Sequence, residues 1–553
     1  MDRWTPKSIL ALRAYSLDQL RHDLVAGVTV GLVALPLAMA FAISSGVSPQ
    51  AGIYCAIVTG FLISALGGSN FQIGGPTGAF VVVVAGIIAK YGIDGLFMST
   101  MMAGVILVVL GATGFGTAVS FIPQPVVVGF TNGIAVVIAS TQIRDLFGLP
   151  VSSVTSDFLP RMRALLAAAP SFSPLTAALG VGALLFLVVW RRFGSRIPGY
   201  IIVLVASTAL TALAGLPVET IGSRFGGIAG TLPTVAMPKF HADLVLTLLS
   251  PALTIAMLGA VESLMSAVVA DRLGGDRHNP NVELIAQGIA NLASPLVGGL
   301  PATGALARTA TNIRSGARTP IAGMIHAVTL LAVLLVAAPL ARYVPLAALA
   351  GILLMVAYQM GEWAEIPQLL KLSRADIAVW LVTFALTVLA DLTVAVETGM
   401  ILAMLMFIRK VARTTSVTAA AEDDAEEGRL HVLHDKQVPE YVTVYRVYGP
   451  LLFGATDSLR RITDHVQALP PIVILKLRHV TAIDATGLRA LEDLADRLHK
   501  SGRELIVCGA QSQPSALLDS ADFHRHIGTA NICANTTTAL ARAAELQRSR
   551  RVA

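Results

Sequence analysis

Charge and cysteine are both scarce in this sequence. Only 13% of its 553 residues are Asp, Glu, Lys or Arg, whereas a soluble domain carries roughly 25%. The three cysteines, Cys55, Cys508 and Cys533, are too few and too widely spaced for a disulfide framework or a zinc site. No nucleophile–base pair or metal-ligand cluster stands out, so we expect neither an enzyme nor a cofactor. The net charge of +6 requires no nucleic-acid partner, because cytoplasmic loops of membrane proteins are rich in Lys and Arg.

Charged residues are scarce mainly in residues 25–410, a region that consists of apolar runs separated by short connections. Together with a mean hydropathy of +0.72, this pattern predicts a polytopic α-helical membrane protein that lies in a lipid membrane. Counting runs that can cross ~30 Å of hydrocarbon predicts fourteen spans. The third, ninth and tenth are short or broken; the full set is 25–43, 50–67, 77–90, 96–115, 123–140, 173–190, 199–216, 244–268, 281–296, 304–314, 321–340, 344–360, 375–391 and 393–409.

Basic residues in the connections indicate how the chain is oriented. If both termini are cytoplasmic, the positive-inside rule is satisfied by four connections, which contain Arg191 and Arg192, Arg272 and Arg277, Arg314 and Arg318, and Lys371 and Arg374. Arg144, Arg161 and Arg163 fall outside and are exceptions. Residues 1–24 are predicted to form a cytoplasmic amphipathic segment on the membrane surface.

Two similar motifs interrupt the apolar runs, "FQIGGPTGAF" (71–80) and "LVGGLPATGALART" (296–309). Pro76 and Pro301 lack an N–H and the neighbouring glycines weaken a helix, so a continuous helix through either motif is unfavourable. We therefore expect an extended stretch followed by a half-helix that starts near Thr77 or Ala302. The motifs lie seven spans apart, and an odd shift reverses direction across the membrane. This predicts inverted repeats, about 25–216 and 244–410, with discontinuous spans 3 and 10.

Each half-helix start carries about half a positive charge and free N–H groups. Two of them facing each other suit a small anion, with the hydroxyls of Thr77 and Thr303 as further donors. The alternative is that the glycines only allow close helix packing, because Gly is common in membrane helices. The predicted substrate-binding residues are Phe41, Gly75, Pro76, Thr77, Gly78, Phe80, Ala302, Thr303, Gly304 and Arg308. The two phenylalanines could line the pocket, although a phenylalanine in a membrane helix usually packs in the core.

Two ionisable residues stand inside predicted spans. Arg308 follows the second motif and would attract the anion, while Glu262 lies within the eighth span, where an isolated charge is costly. A desolvated carboxyl can hold a proton near neutral pH, so Glu262 is predicted to couple proton movement to transport. The alternative is a structural Glu262–Arg308 ion pair.

The C-terminal region has an ordinary soluble composition. Residues 411–437 are predicted as an acidic linker and 438–545 as a small α/β domain. Strands are predicted at 440–454 (as a pair), 472–480 and 504–510, with an amphipathic helix at 486–502. Asp484 and Thr486 stand at the strand-to-helix turn, where they can cap the helix. A regulatory role, by phosphorylation of Thr486 or by an anion bound there, is the alternative.

These motifs resemble those of a known family. "GGPTGAF" (74–80), "ESLMSAVVAD" (262–271), "GGLPATGALARTATNIRSGARTPIAG" (298–323) and "AIDATGL" (482–488) are similar to those of the SulP sulfate permeases, the bacterial relatives of solute carrier family 26. The resemblance implies two seven-span repeats divided into a core and a gate domain, a cytoplasmic STAS domain, and a homodimer. It also implies elevator-like transport of sulfate, bicarbonate or C4-dicarboxylate across the bacterial inner membrane.

The chain also departs from the family pattern. Many members have Pro-Gln in the first span, where this chain has Pro36 and Leu37. Sodium-coupled bicarbonate members carry Asp and Thr in place of Glu262 and Ser266, and they lack Arg308. These differences favour proton symport, with Ser266 a possible contact for a coupling cation. Sodium-coupled bicarbonate symport, anion exchange, an uncoupled anion channel and a STAS-based sensor remain alternatives, and a nucleobase transporter is disfavoured.

Overall fold

The computed structural model describes residues 4–116, 123–151, 157–193, 198–390, 392–419, 438–452, 459, 462 and 466–552. The chain divides into two compact units, Met1–Ile401 and Leu402–Ala553. Helices of the first half of the chain are α1 Lys7–Leu12, α2 Leu17–Ser44, α3 Pro49–Leu66, α4 Phe80–Ala112, α5 Gln124–Phe147, α6 Phe158–Ala168, α7 Pro174–Trp190, α8 Gly199–Ala214 and α9 Ile221–Phe225. They are followed by α10 Val245–Gly274, α11 Pro280–Ala293, α12 Leu306–Arg314, α13 Ile321–Ala341, α14 Leu346–Met360, α15 Ile366–Leu369, α16 Arg374–Leu389 and α17 Leu392–Thr414.

Each of the fourteen predicted spans coincides with one of these helices. The third and fourth both fall in α4, whose helical geometry is broken at Gly92, where φ is 70°. In the part of the chain that is described, eight helices are long and apolar enough to cross a membrane, and others are shorter. The prediction of a polytopic helical membrane protein is therefore confirmed, while the number of crossings stays a prediction.

The N-terminal segment differs from the expectation for residues 1–24. Helix α2 already begins at Leu17, where Ser16 accepts a hydrogen bond from the Gln19 backbone N–H in a capping box. The preceding helix α1 contacts the end of α3, and the Lys7 ammonium forms a 2.9 Å ion pair with Asp276. A good cap at Ser16 extends the first long helix beyond its apolar run, because capping does not depend on hydrophobicity.

Within the first unit the long helices pack in two groups. One group consists of α2, α3, α4, α10, α11, α12 and α13, with α4 packed on α10 and α11, and α13 packed on α2 and α3. The other group consists of α5, α7, α8, α14 and α16, with α5 packed on α14 and α16. This division is the one expected of a core and a gate domain.

Strands β1 Gly74–Gly75 and β2 Thr303–Gly304 belong to the first unit. The second unit contains a five-stranded sheet whose strands are hydrogen-bonded to one another in chain order. Its strands are β3 Ser416–Ala419, β4 Val442–Tyr448, β5 Ile472–His479, β6 Glu504–Cys508 and β7 Ile532–Cys533. Only the β3–β4 pair is antiparallel. The helices are α18 Ala485–Lys500, α19 Ser512–Ser520, α20 His524–Ile527 and α21 Thr536–Val552.

Two boundaries predicted for this region need correction. In place of the predicted strand pair, the described part of 440–454, which ends at residue 452, contains one strand, β4, whose antiparallel neighbour β3 lies inside the predicted linker 411–437. The end of α17 also lies in that segment, and its remainder, 420–437, is outside the described residues. Strand β3 is four residues long and so gives little periodicity in the sequence, and it is fixed by pairing with a strand more than twenty residues away.

Candidate functional site

The two interrupted motifs meet at a short antiparallel bridge. Strand β1, Gly74–Gly75, pairs with β2, Thr303–Gly304, in the register Gly74↔Gly304 and Gly75↔Thr303. The Ala305 N–H donates a 2.8 Å hydrogen bond to the Ile73 carbonyl oxygen and extends the pairing. The antiparallel direction agrees with two elements that run oppositely across a membrane.

Both half-helices start later than the sequence predicts, at Phe80 and at Leu306. In the second motif the helix starts late because residues before it are held in the β1–β2 bridge and by the Asn291 side chain. Asn291 Nδ2 donates to the Ala302 carbonyl oxygen at 2.8 Å, and Asn291 Oδ1 accepts from the Ala302 N–H at 2.9 Å. The Ala302 N–H, predicted as an anion contact, is therefore already used.

Thr77 connects the first motif to the eighth predicted span. Its hydroxyl donates a 3.0 Å hydrogen bond to Glu262 Oε2 on α10. Thr77 is buried and Glu262 is half-buried. Because a threonine hydroxyl has a single proton, Thr77 cannot donate to an anion while it donates to Glu262.

Arg308 reaches from α12 to the backbone of the first motif. Its side chain is 2% exposed, and its Nη2 donates to the Pro76 carbonyl oxygen. Its Nη1 lies against Gly75 and has no hydrogen-bond partner among the described residues. A buried donor without a partner costs about 1–3 kcal/mol, so this N–H points to a missing acceptor. The alternative, a Glu262–Arg308 ion pair, is not formed among the described residues: Glu262 accepts from Thr77, and the hydrogen bond of Arg308 goes to Pro76.

Two other side chains that were predicted to contact a ligand donate their hydroxyl protons to other protein groups. Thr303 donates to the Gly259 carbonyl oxygen at 2.9 Å, and Ser266 donates to Thr309 Oγ1 at 3.2 Å. Both side chains are fully buried. Their hydroxyl protons hold α10 against the second motif and α12, so neither is available to donate to a ligand.

Gly78 lies where the two helix groups of the first unit meet. A Cβ built on it would be 2.7 Å from Met360 Sδ, 3.1 Å from Ile138 Cδ1 and 3.2 Å from Phe41 Cε1. Ile138 and Met360 belong to α5 and α14 of the second group. Phe41 therefore lies beside the first motif, whereas Phe80 is buried near Gly259 of α10; a pocket-lining role of either residue stays a prediction.

Several polar side chains that shape the motifs were not predicted from the sequence. Gln72 Nε2 donates to the Ser263 carbonyl oxygen at 3.1 Å, and a Cβ on Gly304 would collide with that nitrogen. Asn312 donates to the Phe71 carbonyl oxygen at 2.9 Å. The sequence feature that could have identified these residues is their polarity, because buried amide side chains within apolar regions must form hydrogen bonds.

Asp23 holds the turn that follows α12. Its carboxylate accepts from the Arg318 N–H at 2.7 Å, the Thr319 hydroxyl at 2.5 Å and the Tyr15 hydroxyl at 3.1 Å. Burial, and then the charge of Asp23, raise the pKa of Tyr15 to about 12. The second motif is thus anchored at both ends, by Asn291 before it and by Asp23 after it.

A substitution of Gly75 tests whether transport depends on the close approach of Arg308 to the bridge. The Gly75 φ of +144° disfavours any side chain, and a Cβ would lie 2.6 Å from Arg308 Nη1. We expect Gly75→Ala to cost on the order of 1–3 kcal/mol locally and to reduce anion uptake more than about tenfold. Uptake into proteoliposomes measures this. Gly86→Ala is the matched control, because no atom lies within 4 Å of its added Cβ; equal effects of the two substitutions would contradict the argument.

In the second unit, Asp484 is the N-cap of α18. Its Oδ1 accepts a 2.8 Å hydrogen bond from the Gly487 N–H, and Thr486 is exposed in the first turn. The geometry agrees with the capping interpretation; regulation through Thr486 stays a prediction.

Removing this cap should loosen the start of α18. We expect Asp484→Ala to cost about 1 kcal/mol and to speed amide hydrogen exchange in the first turn about fivefold. Asp493→Ala, an exposed carboxylate on the same helix, should leave that exchange unchanged. Unaltered exchange in Asp484→Ala would mean that other contacts hold the turn.

The fold and the buried, positively charged bridge define the chain as a multi-pass membrane transporter with a C-terminal STAS domain. The sulfate permease family profile matches residues 20–383, and the STAS domain profile matches residues 434–539. The chain belongs to the sulfate permease family. The resemblance noted from the motifs is thereby confirmed.

Relatives cover nearly the whole chain. A putative sulfate transporter, YvdB of Bacillus subtilis (strain 168), is 41% identical over 519 residues, 93% of this chain and 96% of its own. The bicarbonate transporter BicA of Synechocystis sp. (strain ATCC 27184 / PCC 6803 / Kazusa) is 31% identical over 538 residues, 94% of each chain. These relatives are named as transporters, in agreement with the prediction that the chain is not an enzyme.

Solved structures show the same fold. The transmembrane domain of a cyanobacterial BicA matches with a TM-score of 0.63 and 33% identity, covering 69% of this chain and 98% of that one. Murine SLC26A9, an anion transporter solved in the inward-facing state, matches with a TM-score of 0.86 and 18% identity, covering 98% of this chain and 94% of that one. At that identity the second match concerns the fold alone.

Proposed function

We propose that this protein is a proton-coupled symporter of a small anion, sulfate or bicarbonate in the first instance. The observation that carries the proposal is the unpaired Nη1 of Arg308 beside Gly75, two residues before Thr77, whose hydroxyl is bonded to Glu262. An anion accepting from Nη1 would complete the hydrogen bonding of a buried guanidinium, and charge-assisted bonds of this kind are strong. The names of the relatives support sulfate and bicarbonate as the first substrates to test.

Coupling follows from the single proton of the Thr77 hydroxyl. While Glu262 is ionised, that proton is donated to its carboxylate at 3.0 Å, and the negative charge repels a second anion. When Glu262 takes up a proton, its O–H can donate to Thr77 Oγ1, and the Thr77 hydroxyl can turn to donate to the anion. One proton thus removes the repulsion and supplies a hydrogen-bond donor, so proton and anion bind together.

Alternating access would move one helix group against the other. The site lies next to Gly78 of the first motif, where the first helix group meets Ile138 of α5 and Met360 of α14 in the second, and a relative displacement there would expose it to either side. We propose an elevator-like movement, a homodimer in the bacterial inner membrane, and both termini in the cytoplasm. The basic connections and the STAS domain at the C-terminus support that orientation.

The test is uptake of labelled sulfate, bicarbonate or fumarate into proteoliposomes, with and without an inward proton gradient. A gradient of one pH unit can drive roughly tenfold accumulation per coupled proton. We expect one anion to accumulate with the gradient and to equilibrate when a protonophore removes it. Accumulation that follows a sodium gradient, or flux that only equilibrates under every condition, would overturn proton symport in favour of sodium coupling, exchange or a channel.

A further inference from the structure

A cavity lies between α5, α7 and α14, and none of the predicted anion-site residues lines it. Its volume is about 760 Å³, within the range of small-molecule sites. The walls are apolar, with Ala135 and Ala139 from α5 and Leu185 and Val188 from α7. Leu185 and Val188 are exposed, so the groove opens on the outer surface of the helix bundle, where lipid surrounds a membrane protein.

One end of the groove is basic. Arg191 and Arg192 follow directly after α7 and line the cavity, and neither forms an ion pair among the described residues. Arg191 Nη1 lies 3.9 Å from Met355 Sδ on the α14 wall. The apolar length and the cationic end match the two parts of a lipid, an acyl chain and an anionic headgroup.

Aromatic residues mark the same end as a membrane interface. Tyr358 and Trp363 line the cavity there, and the Trp363 indole N–H donates to the Tyr358 carbonyl oxygen at 2.8 Å. Trp and Tyr are enriched at the level of lipid headgroups. Under the proposed orientation this end faces the cytoplasm, where basic pockets between membrane helices bind anionic headgroups.

We propose that this groove binds one phospholipid with an anionic headgroup. One of its two acyl chains lies against Ala139, Leu185 and Val188, and its phosphate is held by Arg191 and Arg192. Because α14 also contributes Met360 beside Gly78, a bound lipid packs against a helix that reaches the anion site. The proposal concerns lipid binding and stands apart from the transported substrate.

The experiment is native mass spectrometry of the full-length protein in detergent, with added dioleoyl phosphatidylglycerol or dioleoyl phosphatidylcholine. An arginine near a headgroup favours an anionic lipid by roughly fivefold, so the pair should give about 30-fold preference. We expect one phosphatidylglycerol retained per protomer. The Arg191→Gln/Arg192→Gln variant should bind the two lipids equally, and Ala139→Trp should weaken the binding of both.

The matched control is Lys371→Gln/Arg374→Gln, which removes two charges from another basic connection that does not line the groove. It should keep the preference. Equal binding of both lipids by the wild type, or an undiminished preference in Arg191→Gln/Arg192→Gln, would overturn the proposal. So would occupation of the groove by a second copy of the chain, seen as disulfide crosslinking of Leu185→Cys in a Cys533→Ala background.

Discussion

Arg308→Gln should reduce anion uptake into proteoliposomes by about 30-fold or more at low substrate concentration. Removing one partner of a buried, hydrogen-bonded charge pair costs about 2–5 kcal/mol, and Arg308 is the buried cation that contacts the first motif. The loss should appear as a raised half-saturation concentration for the anion. Arg308→Lys should recover part of the affinity, because it keeps the charge but lacks the planar fork that serves Pro76 and the anion together.

The control for this prediction is Arg314→Gln on the same helix. Arg314 is exposed in the last turn of α12, so the substitution removes the same charge without touching the bridge. Uptake by this variant should stay within about twofold of wild type. If Arg308→Gln transports with an unchanged half-saturation concentration while remaining folded in detergent, Arg308 does not contact the substrate.

Glu262→Gln should abolish proton-driven accumulation while leaving passage of the anion itself. The amide oxygen can still accept from the Thr77 hydroxyl, so the local geometry is kept, but the side chain can no longer take up a proton. We expect the accumulation ratio under a one-unit pH gradient to fall from roughly ten to the value without a gradient. Exchange of labelled for unlabelled anion should persist, because the neutral amide does not repel the substrate.

The Thr77→Val substitution removes the hydrogen bond between Thr77 and the Glu262 carboxyl. This variant keeps Glu262 and removes the hydroxyl, so coupling should weaken together with anion affinity, whereas Glu262→Gln should affect coupling far more than affinity. Accumulation by Glu262→Gln that still rises with the imposed pH gradient would falsify the role of Glu262. Proton coupling would then have to reside elsewhere in the chain.

The sequence by itself determined the existence of the discontinuous elements. Pro76 and Pro301 cannot donate the hydrogen bonds of a helix, and a pair of glycines stands just before each of them, so both breaks could be predicted from the sequence. Pro36, Pro251 and Pro339 have no such neighbours and lie inside α2, α10 and α13. The helix 486–502 and the strands 472–480 and 504–510 were equally accessible and agree with α18, β5 and β6. In each case the signal is local, because backbone chemistry or a short periodic pattern fixes the element.

The side-chain partners were decided only by the tertiary structure. Thr77 with Glu262, Arg308 with Pro76 and Asn291 with Ala302 are hydrogen bonds between elements that meet in space. Helix α10 is apolar around most of its circumference and gives no stripe in the sequence to show which side faces a neighbour, so the contact of Glu262 with Thr77 cannot be predicted locally. The bond of Arg308 to Pro76 joins residues 232 positions apart and depends on how α12 packs against the first motif. The positions of the two motifs could be predicted from composition and proline. Which of their hydrogen-bond donors stay free for an anion depends on how the helices pack.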